Sequence, residues 1–384
     1  MSYMLRTRLA PALLEDWMRA YYFAVELDIG SSGVEDYSLG EIRALLGITQ
    51  EELDGVLFQD SRTLGGPEIR EAVAKRWAGG AVERVIVTHG ATEANFLTMV
   101  SLLEEGDEVV VLDPLYQQLY GVAESIGCHL RRWPLRFENA FVPDLDEARA
   151  LIGPRTRMIV VNFPHNPTGT TVTPEQQREL IGIASRVGAY LVWDCVFAEM
   201  TYEQAPLPDP GLIYERSLSM GSLSKSYGLP GLRVGWCLAE PEVLERFVRL
   251  RDYLTLHLSP LVELIARRAV ENGDLLLEPR RRQAARNREI VAVWMDAHQD
   301  RVQWVRPTGG VCAFPCLNDV TDEVSFCRHL AEVERVLLVP GTCFGCAGHV
   351  RLGFGGSTPN LEEGLRRLAR ALGRIDRKTL GSLR

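Results

Sequence analysis

The run Ser222-Leu223-Ser224-Lys225-Ser226-Tyr227-Gly228-Leu229-Pro230-Gly231-Leu232-Arg233-Val234-Gly235 decides how the rest of the chain is read. One lysine stands among small hydroxyl residues. An apolar run ending at Met220-Gly221 precedes it, and a second apolar run, Val234 to Leu238, follows. A lysine held at a strand end among small groups is open to desolvation, which lowers its pKa and makes the amine a nucleophile toward a carbonyl. Ser222 and Arg233 flank it, and a hydroxyl with a guanidinium fork can grip a phosphate. The plainer alternative is a solvated loop lysine, and the surrounding sequence argues against it.

The chain has 384 residues, 46% hydrophobic and 24% charged, which is ordinary for a globular protein. That length suits one large domain and a smaller one. A net charge of −9 disfavours a nucleic-acid partner. Arg280-Arg281-Arg282, with Gln283, Arg286 and Arg288, reads as a solvated helix face. No apolar stretch reaches the ~18 residues of a membrane span. The N-terminus lacks a secretory apolar region, so a cytoplasmic protein is expected. In that compartment the eight cysteines are expected as thiols. The spacing of Cys312, Cys316, Cys343 and Cys346 suggests zinc. However, Cys312 and Cys316 fall in one expected strand, 310–317, on the same face as Phe314. That favours buried thiols and no metal.

From Arg84 onward, short runs rich in Val and Ile alternate with amphipathic helices. Strands are expected over 85–88, 108–112, 157–163, 190–194 and 234–238, and helices over 91–103, 116–126 and 174–187. This pattern predicts a parallel sheet covered on both faces, with ligands at the carboxyl ends of its strands. An earlier helix is expected over 9–23, broken by Asp28-Ile29-Gly30-Ser31-Ser32-Gly33, and another from Gly65-Gly66-Pro67 to Trp77. After the lysine come helices over 241–253 and beyond Pro260. They are followed by strands over 310–315, 336–339 and 350–353 and a helix over 323–333.

S-L-S-K followed by G-L-R-V-G resembles the lysine motif of the class I/II aminotransferase family, the fold-type-I pyridoxal 5′-phosphate (PLP) enzymes, and the resemblance covers nearly the whole chain. It implies an α/β fold: a large domain with a mainly parallel seven-stranded sheet, and a smaller α/β domain built from both chain ends. The expected division is 1–47 and 275–384 around a PLP-binding 48–274. The resemblance also implies a homodimer and a Schiff base between Lys225 and the PLP aldehyde. His89-Gly90-Ala91-Thr92 is similar to the family's phosphate turn. Ala91 and Thr92, with Ser222, Ser224 and Arg233, would then hold the cofactor at its phosphate end. Tyr116 would stack on the ring and Asn166, in N-P-T-G, would bond O3′. Asp194 would pair with the ring nitrogen, and Arg351 would hold the substrate α-carboxylate near Ser32 and Gly33. Two positions depart from the pattern. Asp60 stands where many relatives have a tyrosine reaching the neighbouring subunit's phosphate, and Phe197 stands where a tyrosine reaches O3′.

Longer runs are similar to one branch of the family, the capreomycidine synthases of streptothricin- and viomycin-type antibiotic pathways. They include Leu14-Glu15-Asp16-Trp17, Asp28 to Val34, Val161 to Pro167, Tyr227 to Cys237, Arg251 to Leu256 and Leu258 to Glu263. This resemblance implies that (3S)-3-hydroxy-L-arginine loses its β-hydroxyl and closes through its guanidino group to (2S,3R)-capreomycidine. Lys225 would take the Cα proton. Lys225 or a bound water would protonate the leaving hydroxyl, which Thr92 could also reach. The guanidinium calls for an acidic partner, for which Glu15 and Asp16 are candidates. Two alternatives stand beside this reading. One is an ordinary aminotransferase for a basic amino acid. The other is a PLP-dependent effector domain of a transcription regulator, which would need a DNA-binding region before the first helix.

Overall fold

The computed structural model describes residues 9–381, with side chains through residue 374, so the outermost parts of the two expected terminal segments lie outside the described residues. Its centre is a seven-stranded sheet. The strands are β1 (Val85–Thr88), β2 (Glu108–Asp113), β3 (His129–Pro134), β4 (Thr156–Asn162), β5 (Tyr190–Asp194), β6 (Ser217–Ser222) and β7 (Gly235–Leu238). Their spatial order is β1-β7-β6-β5-β4-β2-β3, and only β7 runs against its neighbours. Val109 to Leu112, Met158 to Val161 and Leu191 to Trp193 are almost wholly buried, as a sheet covered on both faces requires. The mainly parallel seven-stranded α/β architecture is therefore the one expected.

β3 escaped the sequence reading. It is an edge strand whose Arg131 pairs with Glu108 and whose Arg132 stacks over Tyr120, so it carries no continuous apolar run. The single helix expected over 116–126 is instead a 3₁₀ turn, Gln117–Leu119, and a short helix, Gly121–Ile126. The strand expected over 310–317 is also two pieces. Cys312–Ala313 pairs with Leu352–Gly353, whereas Cys316–Leu317 pairs with Val302–Gln303. Pro315 lies between them and has no N–H to continue a ladder. Cys312 and Cys316 therefore belong to different sheets and share no face. All eight cysteines are free thiols. Among the described residues no cluster of three or more His, Cys, Asp or Glu side chains is arranged for a metal, and no helix is long and apolar enough to cross a membrane.

The chain ends meet. Leu27–Asp28 pairs in parallel with Val336–Leu337, and the last helix, Thr358–Gly381, packs beside them. Helix α1 (Leu13–Tyr21) is anchored by buried Leu14 and Trp17, and the Trp17 indole N–H donates to Leu338 O at 2.8 Å. Its cap residue Ala12 cannot accept from the first turn. Gln117 serves from a distance: its Oε1 accepts from Leu13 N–H and its Nε2 donates to Pro11 O.

The basic run at 280–288 is only partly a solvated face. It lies on α2 (Gly273–Ala297), and Arg281 and Arg282 are exposed as expected. Arg280 and Arg288 are buried. Arg280 pairs with Glu35 and stacks over Tyr37; Arg288 pairs with Glu203, donates to Pro307 O and stacks over Tyr202. These guanidiniums bind the long helix to loops of both chain halves, using the flat cationic surface and fork geometry that lysine lacks.

Candidate active site

β2, β4, β5, β6 and β1 end on the same side of the sheet, and a cavity of about 450 Å³ opens there. That size suits a cofactor with a small substrate. Each strand end delivers one group. β6 leads through Ser222 to Lys225, β5 ends in Asp194, and β4 ends in Asn162. β1 leads to the N-terminus of α3 (Gly90–Leu102), and the loop after β2 carries Tyr116.

Lys225 is held among buried groups. Burial, then the Arg351 and Arg233 charges, lower its pKa from the ordinary lysine value. Its carbonyl accepts from Val34 N–H at 3.1 Å, so the segment after Gly33 braces the lysine backbone. Ser222 Oγ accepts from Ser224 N–H at 2.8 Å, which closes the turn before the lysine.

Asp194 is raised to about 6 by burial, opposed by a hydrogen bond from Val196 N–H at 2.9 Å and by the Lys225 charge. Among the described residues no cation pairs with it. Asn162 ties the two strand ends together: its Nδ2 donates to Asp194 O and its Oδ1 accepts from Asn166 N–H at 2.8 Å. Asn166 Oδ1 in turn accepts from Arg351 Nη1 at 3.2 Å, and Arg351 Nε donates to Gly30 O at 3.0 Å. His165 braces this turn from behind. Its Nε2 lies 2.9 Å from Pro114 O, an acceptor only, so Nε2 carries the proton and Nδ1 accepts from the Thr168 hydroxyl. Burial holds that imidazole neutral, with its pKa lowered to about 3.

The start of α3 is shaped for an anion. Gly90 has φ +73°, and a side chain there would meet the Arg233 guanidinium at 2.8 Å. A Cβ on Gly235 would lie 2.5 Å from Ala91 N, so this strand must begin with glycine if it is to pass so close beneath the helix N-terminus. Free N–H groups and the helix dipole there favour a phosphate, with the Arg233 fork beside it. An anion seat, a half-buried amine of lowered pKa and a buried carboxylate without a cation together fit PLP.

Glu93 rather than His89 organises this turn. Glu93 Oε2 accepts from His89 N–H at 2.6 Å, while Oε1 accepts from the Thr255 hydroxyl and lies 3.3 Å from Arg251 Nε. Burial would raise this carboxyl. The His89 bonds, the Arg251 charge and the Thr255 hydroxyl outweigh it and bring the pKa to about 2. A value below the ordinary ~4.3 means stabilisation that is complete above about pH 4 and lost as pH falls toward 2. Glu93→Gln leaves Arg251 buried without its counter-charge and is expected to cost roughly 3–5 kcal/mol at pH 7. The gap between variant and parent should close in acid. Urea unfolding at the two pH values measures this, and equal stabilities at pH 7 would refute it.

The other expected residues divide. Ala91, Thr92, Ser32, Phe197, Arg233 and Glu15 all line the cavity. Gly33 does not: its carbonyl packs against Gly355, and Ser31 takes the wall position instead. Asp16 is also outside, half exposed and paired with Arg19 one turn along α1. Asp60 is fully exposed, with His257 Nε2 at 3.2 Å.

Two wall residues had no signal in the sequence. Gln118 Nε2 donates to Glu15 Oε1 at 3.2 Å, and Gln118 Oε1 accepts from the Thr92 hydroxyl at 3.0 Å. Asn95 donates to the Gln118 carbonyl. Tyr116 OH also donates to Glu15 Oε1, at 2.6 Å, and burial followed by the Glu15 charge keeps that phenol well above its ordinary pKa.

A family model for aminotransferase class I and II matches residues 36–368. Capreomycidine synthase from Streptomyces vinaceus is 46% identical over 95% of this chain and 94% of its own length. The crystal structure of the PLP-dependent cyclase OrfR superposes with a TM-score of 0.91 at 42% identity, covering 97% of this chain and 100% of that one. A PLP-dependent aminotransferase from Streptococcus suis gives 0.91 at 32% identity, covering 96% and 99%.

Proposed function

The chain belongs to the class I and II aminotransferase family, and from that premise we propose that it is a PLP-dependent capreomycidine synthase. The reaction would be loss of the β-hydroxyl from (3S)-3-hydroxy-L-arginine and intramolecular guanidino addition, giving (2S,3R)-capreomycidine. The observation that carries this reading is 46% identity to a capreomycidine synthase over nearly the full length of both chains.

Bound in this cavity, PLP supplies an electron sink that acidifies the Cα proton of an attached amino acid. Lys225, Ser222, Ser224, Arg233, Ala91 and Thr92 would hold the cofactor at its aldehyde and phosphate ends. Asp194, Asn166 and Tyr116 would fix its ring. Arg351 has already spent Nε on Gly30 O and one Nη1 donor on Asn166, and its remaining donors suit an α-carboxylate. Lys225, whose pKa burial and two arginines lower, would take the proton from Cα and return one to the same carbon. Glu15, in the wall of the same cavity, is the partner for the guanidinium.

We infer residues 48–274 as the PLP-binding domain, with the chain ends forming the smaller one. The active species is taken to be a cytoplasmic homodimer. Exposed Leu57, Phe58 and Tyr253 support an apolar interface.

The second reading, an aminotransferase for a basic amino acid, draws support from the likeness to the Streptococcus suis enzyme. One experiment separates the two. With 3-hydroxy-L-arginine in heavy water and no keto acid, the product is expected to be one water lighter than substrate and to carry one deuterium at Cα. Keto-acid formation with stoichiometric conversion of the cofactor to pyridoxamine phosphate, and no cyclic product, would leave the aminotransferase standing.

A further inference from the structure

Ring closure raises a proton problem that Lys225 alone does not solve. A guanidinium has no free lone pair at nitrogen, so one N–H must be surrendered as the N–Cβ bond forms. The wall of the cavity holds a carboxylate in an unusual state of occupancy. Both protein hydrogen bonds to Glu15 fall on one oxygen: Tyr116 OH reaches Oε1 at 2.6 Å and Gln118 Nε2 reaches the same atom at 3.2 Å. Among the described residues Oε2 has no partner, and Glu15 borders the cavity. Gln118 is itself held by the Thr92 hydroxyl and by Asn95. Leu14 and Trp17 are buried on either side in sequence, which fixes the rotation of α1 about its axis. The carboxylate is thus clamped through one oxygen with the other left available.

We propose that Glu15 is the proton carrier for ring closure, beyond holding the guanidinium as the capreomycidine synthase reading already supposes, on which this inference rests. Glu15 Oε2 accepts a guanidinium N–H, which localises the cation on the far nitrogens and develops a lone pair on the near one. The near nitrogen attacks Cβ, its N–H breaks and the proton passes to Oε2. The electron pair displaced from the Cα–Cβ double bond settles on Cα, where Lys225, its ammonium hydrogens having exchanged with solvent, delivers a proton. The β-hydroxyl has left before this step, as water, on a proton drawn from solvent at the cavity mouth, and Glu15 gives its own proton back to that solvent after closure, so one water leaves and the substrate charge is unchanged. Tyr116 and Gln118 are positioning residues, since they act through Glu15 Oε1.

The test is product partition in Glu15→Gln, an isosteric change on a half-buried helix position. Without a proton acceptor the unsaturated species is released uncyclised and hydrolyses to 2-oxo-5-guanidinopentanoate and ammonia, a net deamination. The expected result is a ratio of keto acid to capreomycidine raised more than tenfold, with Cα–H exchange into heavy water retained. Tyr116→Phe should shift the ratio in the same direction by a smaller factor. A higher KM with an unchanged product ratio would reduce Glu15 to a binding group and overturn the proposal, as would loss of Cα–H exchange together with all turnover. Wild-type enzyme that forms no capreomycidine at all would instead sink the functional reading itself.

Discussion

Lys225→Ala is expected to lower kcat/KM by more than about 10³-fold, because loss of a general acid–base alone costs roughly 10²–10⁴ and the covalent route to the cofactor is lost with it. The structure makes the lysine hard to replace. It sits half-buried just past the end of β6, its carbonyl bonded to Val34 and its charge opposed by Arg351 and Arg233. Ser222, Arg233 and the α3 N-terminus remain in the variant, so PLP should still bind, without the long-wavelength absorbance of lysine-linked cofactor. Borohydride reduction of the wild-type holoenzyme followed by peptide mapping gives a second readout. Label on a different lysine would overturn the assignment.

Arg351→Lys carries the second large effect. Arg351 is 2% exposed, and its cation lies over the Phe344 ring at 5.3 Å. Lysine offers one point charge where the fork serves Gly30 and Asn166 and, in the proposed role, would hold an α-carboxylate as well. Substrate binding is expected to weaken by about 2–4 kcal/mol, a roughly 30- to 1000-fold fall in kcat/KM. Steady-state kinetics measures it. Unchanged KM and kcat/KM would mean that another arginine holds the carboxylate.

Much of the sheet was legible because the chemistry of a doubly covered strand is local. Val109 to Leu112 and Met158 to Val161 are apolar at every position, since both faces are buried. β3 was not legible, because an edge strand facing solvent tolerates arginines and need not alternate. The strand over 310–317 misled for a related reason. Its residues are apolar throughout, yet Pro315 divides them between two pairings that only the neighbouring strands define.

The site divides in the same way. Lys225, Asp194, Asn166, Arg233 and Arg351 stand in motifs whose residue types and short spacings are set by the turn each occupies, so they could be read without knowing where the turns meet. By itself the sequence determined the fold class, the family and the kind of cofactor. What it could not carry was the orientation of residues whose partners lie far away along the chain. Glu15 and Asp16 are adjacent acids of equal standing in the sequence. Burial of Leu14 and Trp17 against the body of the protein turns α1 so that one carboxylate meets Tyr116 and Gln118 in the cavity, while the other faces solvent and pairs with Arg19. Arg280 and Arg288 likewise read as solvated until the fold supplied Glu35 and Glu203. A helix presents a new direction every 100°, and which direction becomes the inside depends on the surface packed against it. That surface comes from the distant parts of the chain, and only the tertiary structure brings it into place.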